Sequence, residues 1–297
     1  MIADFGLRIS DCGPGDFGFG KRGGNAGGRE ALEINLLIEA IYRYFGYDFR
    51  NYERATLKRR LLQRMQSEGL TSISGLQEKV LHDPECINRL LGDLSITVSA
   101  LFRNPEVFKA IREKIVPVLK TYPFIRIWQA GCANGEEVWS LAVLLEEEGL
   151  MDRCRIYATD FNEKAIEQAA RGIFHTGRMK DYTRNYIDGG GKGDFSEYYT
   201  SRYDNVIFRS RLKNNIVFSR HNLATDGPFN EFNLILCRNV MIYFDKKLQT
   251  RAHELFYSSL SMFGFLVLGM QESIRFTPHE KNYKAESGIA KIYKKVK

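Results

Sequence analysis

Two short segments that follow apolar runs could together bind a nucleotide-like ligand. An apolar run, Phe124 to Trp128, leads into the small, glycine-bearing turn Ala130 to Gly135. A helical pattern follows the turn, and then a second apolar run ends in Asp160. In an open α/β sheet, this order of strand, turn, helix and strand places a ligand at the carboxyl end of the first strand. Glycine lets the backbone approach the ligand, and the terminal acid can accept hydrogen bonds from ribose hydroxyls.

The turn itself favours S-adenosylmethionine over a dinucleotide. It reads GCANG rather than GxGxxG, and it leads directly into Glu136 and Glu137. Two acids at a helix start suit the helix dipole, but they would repel a pyrophosphate. A cationic sulfonium cofactor without phosphate tolerates them. The alternative is that both acids only cap the helix.

Composition indicates a globular protein without a metal site. The 297 residues are 44% hydrophobic, which is enough for a sizeable core, and the net charge of +7 permits anionic partners. The five cysteines form no CxxC pair and the five histidines no HxxxH pair, so we expect neither a disulfide framework nor a bound metal. The cysteine content fits a reducing cytosol, and cytoplasmic localisation is expected.

No apolar run reaches the roughly 18 residues of a membrane span. The longest, around Leu260 to Met270, is interrupted by Ser261 and Gly264 and predicts a buried strand. The N-terminus shows no basic segment before an apolar one, so no signal peptide is expected.

Periodicity divides the chain into a helical part and an α/β part. Residues 1–28 contain nine glycines, which predict a flexible leader. The pattern of residues 29–92 predicts four helices, and that of residues 93–121 predicts a linker helix region. From residue 122 to 297, strands and helices alternate. Strands are predicted at 124–130, 154–159, 215–220, 232–237, 264–270 and 289–295. Residues 175–214 break this rhythm as an insert, in which SEYYTSRY and NVIFRSRL predict a small antiparallel sheet.

The second predicted helix is strongly basic. It carries Arg54, Lys58, Arg59, Arg60 and Arg64 with no acid between them. A solvated face is one interpretation. The other is a docking face for an acidic helix or for nucleic acid.

Four blocks of sequence resemble one known family. They are ITVSALFRNPEVF, WQAGCANGEEVWSLA, IYATDFNEKAIEQAARGIF and FNLILCRNVMIYFDKKLQ, in this order along the chain. With these blocks the chain resembles the CheR-type chemoreceptor glutamate methyltransferases over nearly its whole length after the leader. The resemblance implies an α/β fold: a Rossmann-like class I methyltransferase domain with an inserted small antiparallel β-subdomain, preceded by a small all-α N-terminal domain.

The resemblance also implies a reaction. A methyl group would pass from S-adenosylmethionine to glutamate side chains of methyl-accepting receptors, leaving S-adenosylhomocysteine and glutamyl methyl esters in sensory adaptation. Some members of the family serve receptor-like pathways other than chemotaxis. A glutamate carboxylate has a pKa of about 4.3 and is already an anionic nucleophile at pH 7, so no general base is required. The enzyme must supply proximity and alignment.

Two residues are candidates for handling the acceptor. Arg103 could orient the acceptor carboxylate with its guanidinium fork; the alternative is a structural salt bridge, for example with Glu106. Tyr243 could hydrogen-bond the acceptor or line the methyl channel; the alternative is a core aromatic. Arg238 has a plainer interpretation as a structural ion-pair partner.

By the same resemblance, a set of residues would contact the cofactor. These are Thr97, Ser99, Arg103, Gly131, Glu136, Asp160, Asn222, Leu223, Asn239 and Val240. Thr97 and Ser99 stand where many relatives carry Asn and Thr, and Leu101 replaces a usual Phe.

We expect the partner to be the cytoplasmic domain of a methyl-accepting receptor, contacted through the basic helix and the insert. In some members the insert also grips a tethering peptide, and the glycines here do not decide that point. Two other functions remain open. One is a non-catalytic regulator that binds S-adenosylmethionine or a receptor. The other is a nucleic-acid methyltransferase. Amine-directed enzymes often carry an N/D-P-P-Y/F motif after the fourth strand, and the sequence CRNVMIYF at that place argues against this alternative.

Overall fold

The computed structural model describes residues 26–95 and 99–297. Most of the predicted leader, and Thr97 among the predicted site residues, lie outside this part of the chain. The leader was predicted to extend to residue 28, but the first helix already begins at Ala26 and includes Gly27 and Gly28.

Four helices form the N-terminal part, as predicted. They are α1 (Ala26–Phe45), α2 (Arg54–Ser67), α3 (Ile73–His82) and α4 (Pro84–Leu94). Apolar residues at helical spacing turn inward to one core, in which Leu37, Ile41 and Leu61 are fully buried. Side chains of Glu53 and Ser72 accept hydrogen bonds from the first turns of α2 and α3 and fix where these helices begin.

The linker region predicted at residues 93–121 is helical in its second half. A continuous helical stretch comprises α5 (Pro105–Ala110), a π-helical turn (Ile111–Ile115) and α6 (Val116–Leu119), whereas residues 99–104 are not helical. Five residues then lead to the first strand.

The remaining elements alternate between strand and helix. In chain order they are β1 (Ile125–Ala130), α7 (Glu136–Glu147), β2 (Cys154–Asp160), α8 (Glu163–Arg171), β3 (Ile173–His175), α9 (Met179–Asp188), β4 (Tyr199–Arg202), β5 (Asn205–Phe208), α10 (Ser210–Lys213), β6 (Ile216–Arg220), β7 (Phe232–Cys237), α11 (Lys246–Ser259), β8 (Leu260–Leu268), β9 (Tyr283–Ser287) and β10 (Ile292–Lys295).

Within the described residues, seven strands form the main sheet in the order β6-β2-β1-β7-β8-β10-β9. The first five are parallel to one another, and β10 and β9 are antiparallel additions at one edge. Both faces are covered, so the central strands are almost continuously apolar and buried. Three details differ from the sequence prediction: β8 begins four residues earlier, β10 begins later, and β9 was not predicted.

The insert forms a second, small sheet in the order β3-β5-β4. The predicted pairing of SEYYTSRY with NVIFRSRL is confirmed, because Tyr199 to Arg202 pair antiparallel with Asn205 to Phe208. The sheet also takes up β3, which lies before the predicted start of the insert, and the helix α9 was not predicted. The fold class inferred from the sequence is therefore confirmed.

Two general features of the described residues bear on function. None of their helices is both long enough and apolar enough to pass through a bilayer. The same residues contain no group of three or more His, Cys, Asp or Glu side chains that could hold a metal ion.

A buried carboxylate fastens the insert to the main domain. Glu147, at the end of α7, is ion-paired with the buried Arg112 and accepts a hydrogen bond from the Tyr186 hydroxyl. It also accepts hydrogen bonds from the Tyr198 hydroxyl and the backbone N–H of Lys192, both at 3.1 Å. One side chain thus joins α7, the linker helices and the glycine-rich segment of the insert.

We expect Glu147→Ala to destabilise the protein by about 3 kcal/mol, because it removes one of the two carboxylate partners of the buried Arg112, the other being Glu148, and also the acceptor of Tyr186, Tyr198 and Lys192. Urea unfolding measures the loss. The neighbouring Glu146, whose partner Arg211 is half exposed, provides the control, and Glu146→Ala should cost less than about 1 kcal/mol. Equal losses of stability for the two variants would show that Glu147 contributes no more to stability than an exposed ion pair.

Candidate cofactor and acceptor site

A cavity of about 880 Å³, partly open to solvent, lies at the carboxyl ends of β1, β2 and β7. This is the edge where open α/β sheets bind ligands. Nine of the residues predicted from the sequence line it: Ser99, Arg103, Gly131, Asp160, Asn222, Leu223, Asn239, Val240 and Tyr243. The fold therefore brings together residues that are up to 144 positions apart in the sequence, between Ser99 and Tyr243.

The glycine turn after β1 forms the floor of the cavity. Gly131 has φ +73°, and a Cβ there would lie 2.5 Å from Cγ2 of Val240. Gly135 has φ +92°, and a Cβ there would lie 2.8 Å from Cβ of Ala169 in α8. Both positions thus require glycine for backbone conformation and for close packing. The turn is pinned to β2, since the N–H groups of Gly131 and Cys132 donate to the carbonyl of Thr159 at 2.8 and 2.9 Å.

Asp160 lies at the end of β2, beside the turn. Its two carboxylate oxygens accept backbone N–H bonds from Ala133 and Asn162, both at 3.0 Å. The residue is 7% exposed, and burial raises the pKa of its carboxyl while the backbone donors act in the opposite direction. Each oxygen has a further lone pair, so the carboxylate can still accept hydrogen bonds from a ligand hydroxyl.

A buried ion pair crosses the inner wall of the cavity. Nη1 of Arg238, just after β7, donates to Oε2 of Glu137 at 3.0 Å, and the Arg238 side chain is completely buried. Nη2 of Arg238 donates to the carbonyl of Arg103 and to Oδ1 of Asn104 at 3.1 and 3.0 Å. Arg238 therefore has the structural ion-pair role considered in the sequence analysis, and it holds the backbone that carries Arg103.

The segment around Arg103 follows an unusual path. Phe102 and Asn104 have φ of +51° and +57°, a region that non-glycine residues seldom adopt. The N–H of Phe102 donates to the buried hydroxyl of Ser140 at 2.8 Å, which anchors this path to α7. From the insert, Arg178 donates to the carbonyl of Ser99 at 2.7 Å. The position of Arg103 is therefore fixed by contacts from three elements.

Another part of the cavity lining is formed by His221, Asn222 and Leu223, which follow β6. Leu223 is buried there, and Asn222 is held by its own turn, in which its N–H donates to Asp226 and its Oδ1 accepts from Ala224. The ring of His221 packs edge-on against Trp128 at 5.1 Å. Such a pocket of apolar and aromatic groups with few polar atoms suits a nucleobase.

The outer wall is shared between Tyr243 and the helical N-terminal part. Tyr52 lines the cavity, its ring lies 5.3 Å from that of Phe244, and the N–H of Glu53 donates to the carbonyl of Tyr243 at 2.8 Å. Burial raises the pKa of Tyr243, and the positive charges of Arg103, Arg60 and Arg59 oppose that rise. Arg59 and Arg60 of α2 are therefore close enough to Tyr243 to act on its hydroxyl, although neither lines the cavity.

One predicted cofactor residue does not line the cavity. Glu136 is buried beside it, 3.7 Å from the guanidinium of Arg178, whereas its neighbour Glu137 reaches the lining. Burial raises the pKa of the Glu136 carboxyl. Sequence reasoning also missed Tyr52, Gln129 and His221 as lining residues.

Two models of one protein family match this chain. The model described as "CheR methyltransferase, SAM binding domain" matches residues 97–289, and that described as "CheR methyltransferase, all-alpha domain" matches residues 32–95. Together they cover the described part of the chain from α1 to β9.

Three curated relatives resemble the chain over most of their own length. Cher3 of Pseudomonas putida, which is named as a methyltransferase, is 48% identical over 264 residues, covering 89% of this chain and 97% of the relative. A chemotaxis protein methyltransferase of Listeria monocytogenes is 27% identical, covering 80% and 91%. That of Escherichia coli is 27% identical, covering 80% and 82%.

Solved structures resemble only part of the chain. The glycopeptide N-methyltransferase MtfA complexed with sinefungin is 6% identical, with a TM-score of 0.34, and covers 58% of this chain and 50% of its own. The N-methyltransferase NodS of Bradyrhizobium japonicum with S-adenosyl-L-homocysteine is 18% identical, with a TM-score of 0.29, covering 54% and 61%.

The cavity fits the S-adenosyl group that the matching family binds. Among the described residues, Oε1 of Gln129 and Nδ1 of His221 are buried side-chain atoms with no hydrogen-bond partner, and both residues line the cavity. Buried polar atoms normally have partners, so these two are available to a polar ligand. The acids Asp160 and Glu137 suit hydroxyl and ammonium groups, and no phosphate has to be accommodated.

We expect Glu137→Gln to weaken binding of S-adenosylhomocysteine about tenfold or more, because it removes a negative charge from the lining and weakens the hold on Arg238. Calorimetry measures the affinity. Glu136→Gln makes the same chemical change one residue away, outside the lining, and should alter the affinity less than about threefold. An equal or larger loss for Glu136→Gln would contradict this assignment.

Proposed function

Because the chain belongs to the CheR methyltransferase family, we propose that it methylates glutamate side chains of a methyl-accepting chemoreceptor. The observation that carries this proposal is that Arg103 and Tyr243 both line the cavity, with the positive charges of Arg59 and Arg60 acting on Tyr243. These charges favour an acidic acceptor. A protonated amine, such as a lysine side chain, would be repelled by the same charges.

The cofactor supplies the reactive group: S-adenosylmethionine, when bound, offers a methyl carbon on a positively charged sulfur that leaves as the neutral thioether of S-adenosylhomocysteine. The chain would hold it through Asp160 at the ribose, Asn222 and Leu223 at the base, and the region of Glu137, Ser99 and Asn239 at the amino-acid end.

The residues of the chain would then align the acceptor. Arg103 can hold one carboxylate oxygen of a glutamate through its guanidinium, leaving the other oxygen free to form the new bond to carbon. No proton has to be removed, because the carboxylate is ionised at neutral pH. Tyr243 and Tyr52 narrow the mouth and exclude water, which strengthens the electrostatic interactions inside the site.

We propose that the receptor is recognised by part of the basic helix together with the insert. Arg64 does not belong to this surface, since it is half-buried and bound to Asp93 and Glu68 at 2.6 and 3.2 Å. Lys58 is ion-paired with Glu30 but half exposed. The remaining cations of α2 are Arg59 and Arg60, whose charges act on Tyr243, and Arg54, the first residue of the helix.

We expect Arg103→Ala to lower methyl transfer at least tenfold, because the acceptor carboxylate loses the group that orients it. The measurement is transfer of radiolabel from S-adenosylmethionine to receptor-enriched membranes, where base-labile label on a receptor-sized band identifies a methyl ester. Arg126→Ala is the control, since Arg126 is exposed at the amino end of β1, away from the cavity. Absence of label with the unaltered protein, despite measurable binding of S-adenosylhomocysteine, would instead favour a non-catalytic regulator.

We expect Arg59→Glu combined with Arg60→Glu to raise the KM for the receptor about tenfold and to leave cofactor affinity unchanged. The reason is charge repulsion between the altered helix and an acidic receptor surface. The pair Arg29→Glu and Arg43→Glu changes net charge equally on α1 and serves as the control. If the control pair raised the KM as much, the effect would be one of overall charge, and the docking surface would be wrong.

A further inference from the structure

One buried carboxylate outside the cavity organises the backbone of the cavity wall formed by Asn239 and Val240. Glu272 follows β8 and is 5% exposed. Its Oε2 accepts the N–H groups of Asn239 and Gly269 at 3.0 and 2.6 Å. Its Oε1 accepts the N–H groups of Val240 and Met241 at 2.9 and 2.8 Å. A single side chain therefore binds three consecutive N–H groups after β7 and one after β8.

The backbone that Glu272 holds has an uncommon conformation. Asn239 has φ +59°, in the left-handed region, which asparagine adopts more readily than most other residues with a side chain. Successive N–H groups that converge on one side, as in this turn, form an anion-binding concavity. Here the anion is supplied by the chain itself.

Two glycines make room for this arrangement. A Cβ at Gly269 would lie 2.6 Å from Oε2 of Glu272 and 2.7 Å from the N of Asn239. On the cavity side, Val240 packs closely on Gly131. A Cβ at Gly131 would lie 2.5 Å from Cγ2 of Val240. A shift of Glu272 would therefore move the Val240 backbone and, through the Val240 side chain, the glycine turn.

We propose that Glu272 is a positioning residue for the cofactor, which fixes Asn239 and Val240 as one wall of the cavity without lining it. The inference rests on the cofactor part of the proposed function and is independent of the acceptor. Met241 and Glu272 both lie on the far side of that wall, where a second groove runs beside Gln249 and Phe276. The wall is thus held from outside the cavity.

The chemistry of the contact requires a carboxylate. All four partners are donors, and an ionised carboxylate offers only acceptors, whereas an amide would turn two N–H groups toward two backbone N–H groups. Burial raises the pKa of the Glu272 carboxyl, and the four N–H donors lower it. Glutamine has the same shape, so it tests the charge and hydrogen bonds separately from packing.

The test compares Glu272→Gln with Glu272→Asp and Gly269→Ala. For Glu272→Gln, we expect the Kd for S-adenosylhomocysteine, measured by calorimetry well below the melting temperature, to rise at least tenfold. Glu272→Asp keeps the charge with a shorter reach and should lose less affinity. Gly269→Ala keeps the carboxylate of Glu272 but places a methyl group against it, so we expect the Kd to rise in this variant as well. It replaces Glu272→Gln in the test if that variant does not fold. Glu280→Gln is the matched control in the same loop, because exposed Glu280 accepts one backbone N–H, from Phe276, and should change nothing.

A residue with only a structural role would give a different pattern. Glu272→Gln would then lower the melting temperature but leave the Kd of the folded protein unchanged, and that result would overturn the proposal. A folded Gly269→Ala variant with unaltered affinity would overturn it equally. Since binding of S-adenosylhomocysteine needs no receptor, failure of receptor methylation would count against the proposed acceptor and leave this inference standing.

Discussion

The site depends on the buried ion pair between Arg238 and Glu137. It connects the end of β7 to the start of α7, and the second arm of the same guanidinium holds the backbone at Arg103 and Asn104. Burial of such a pair costs desolvation free energy, which only good geometry and additional hydrogen bonds offset. A purely apolar contact would pack these segments equally well, but it would not fix their orientation. The ion pair thus fixes a single relative orientation of the segments that form the inner wall of the cavity.

Around this pair, the cavity divides into two chemical environments. The interior is enclosed by backbone turns, acids and apolar groups that suit a cofactor with hydroxyl and ammonium groups. Tyr52 and Tyr243 line the outer wall of the cavity, and the charges of Arg59 and Arg60 act on Tyr243. Under the proposed function, one continuous opening would hold a small cationic cofactor inside and an anionic acceptor at the mouth.

The sequence predicts the parts of this site that depend on local patterns. Hydrophobic periodicity and the position of glycines predict the strand ends, the glycine turn and Asp160. Most of the residues suggested by family resemblance line the cavity. Glu136 was expected to contact the cofactor because of the family resemblance, but Glu137 is the one that lines the cavity. The two lie about 100° apart around the helix axis, and only the orientation of the folded helix decides which of them reaches the cavity. Tyr52 was missed because it reaches the site from a separate domain. The helix α9 was missed because its apolar residues are few and glycines follow it.

The contribution of the N-terminal helices to the outer wall has a thermodynamic consequence. Tyr52 lines the cavity, and backbone hydrogen bonds join Glu53 to Tyr243 and Asp245 to Asn51. A ligand in the cavity therefore contacts groups from both domains, and its binding free energy stabilises both against unfolding. Saturation with S-adenosylhomocysteine should make the two domains melt as one cooperative unit. The start of α2 would then gain protection from hydrogen exchange together with β7, although the two are far apart in the sequence.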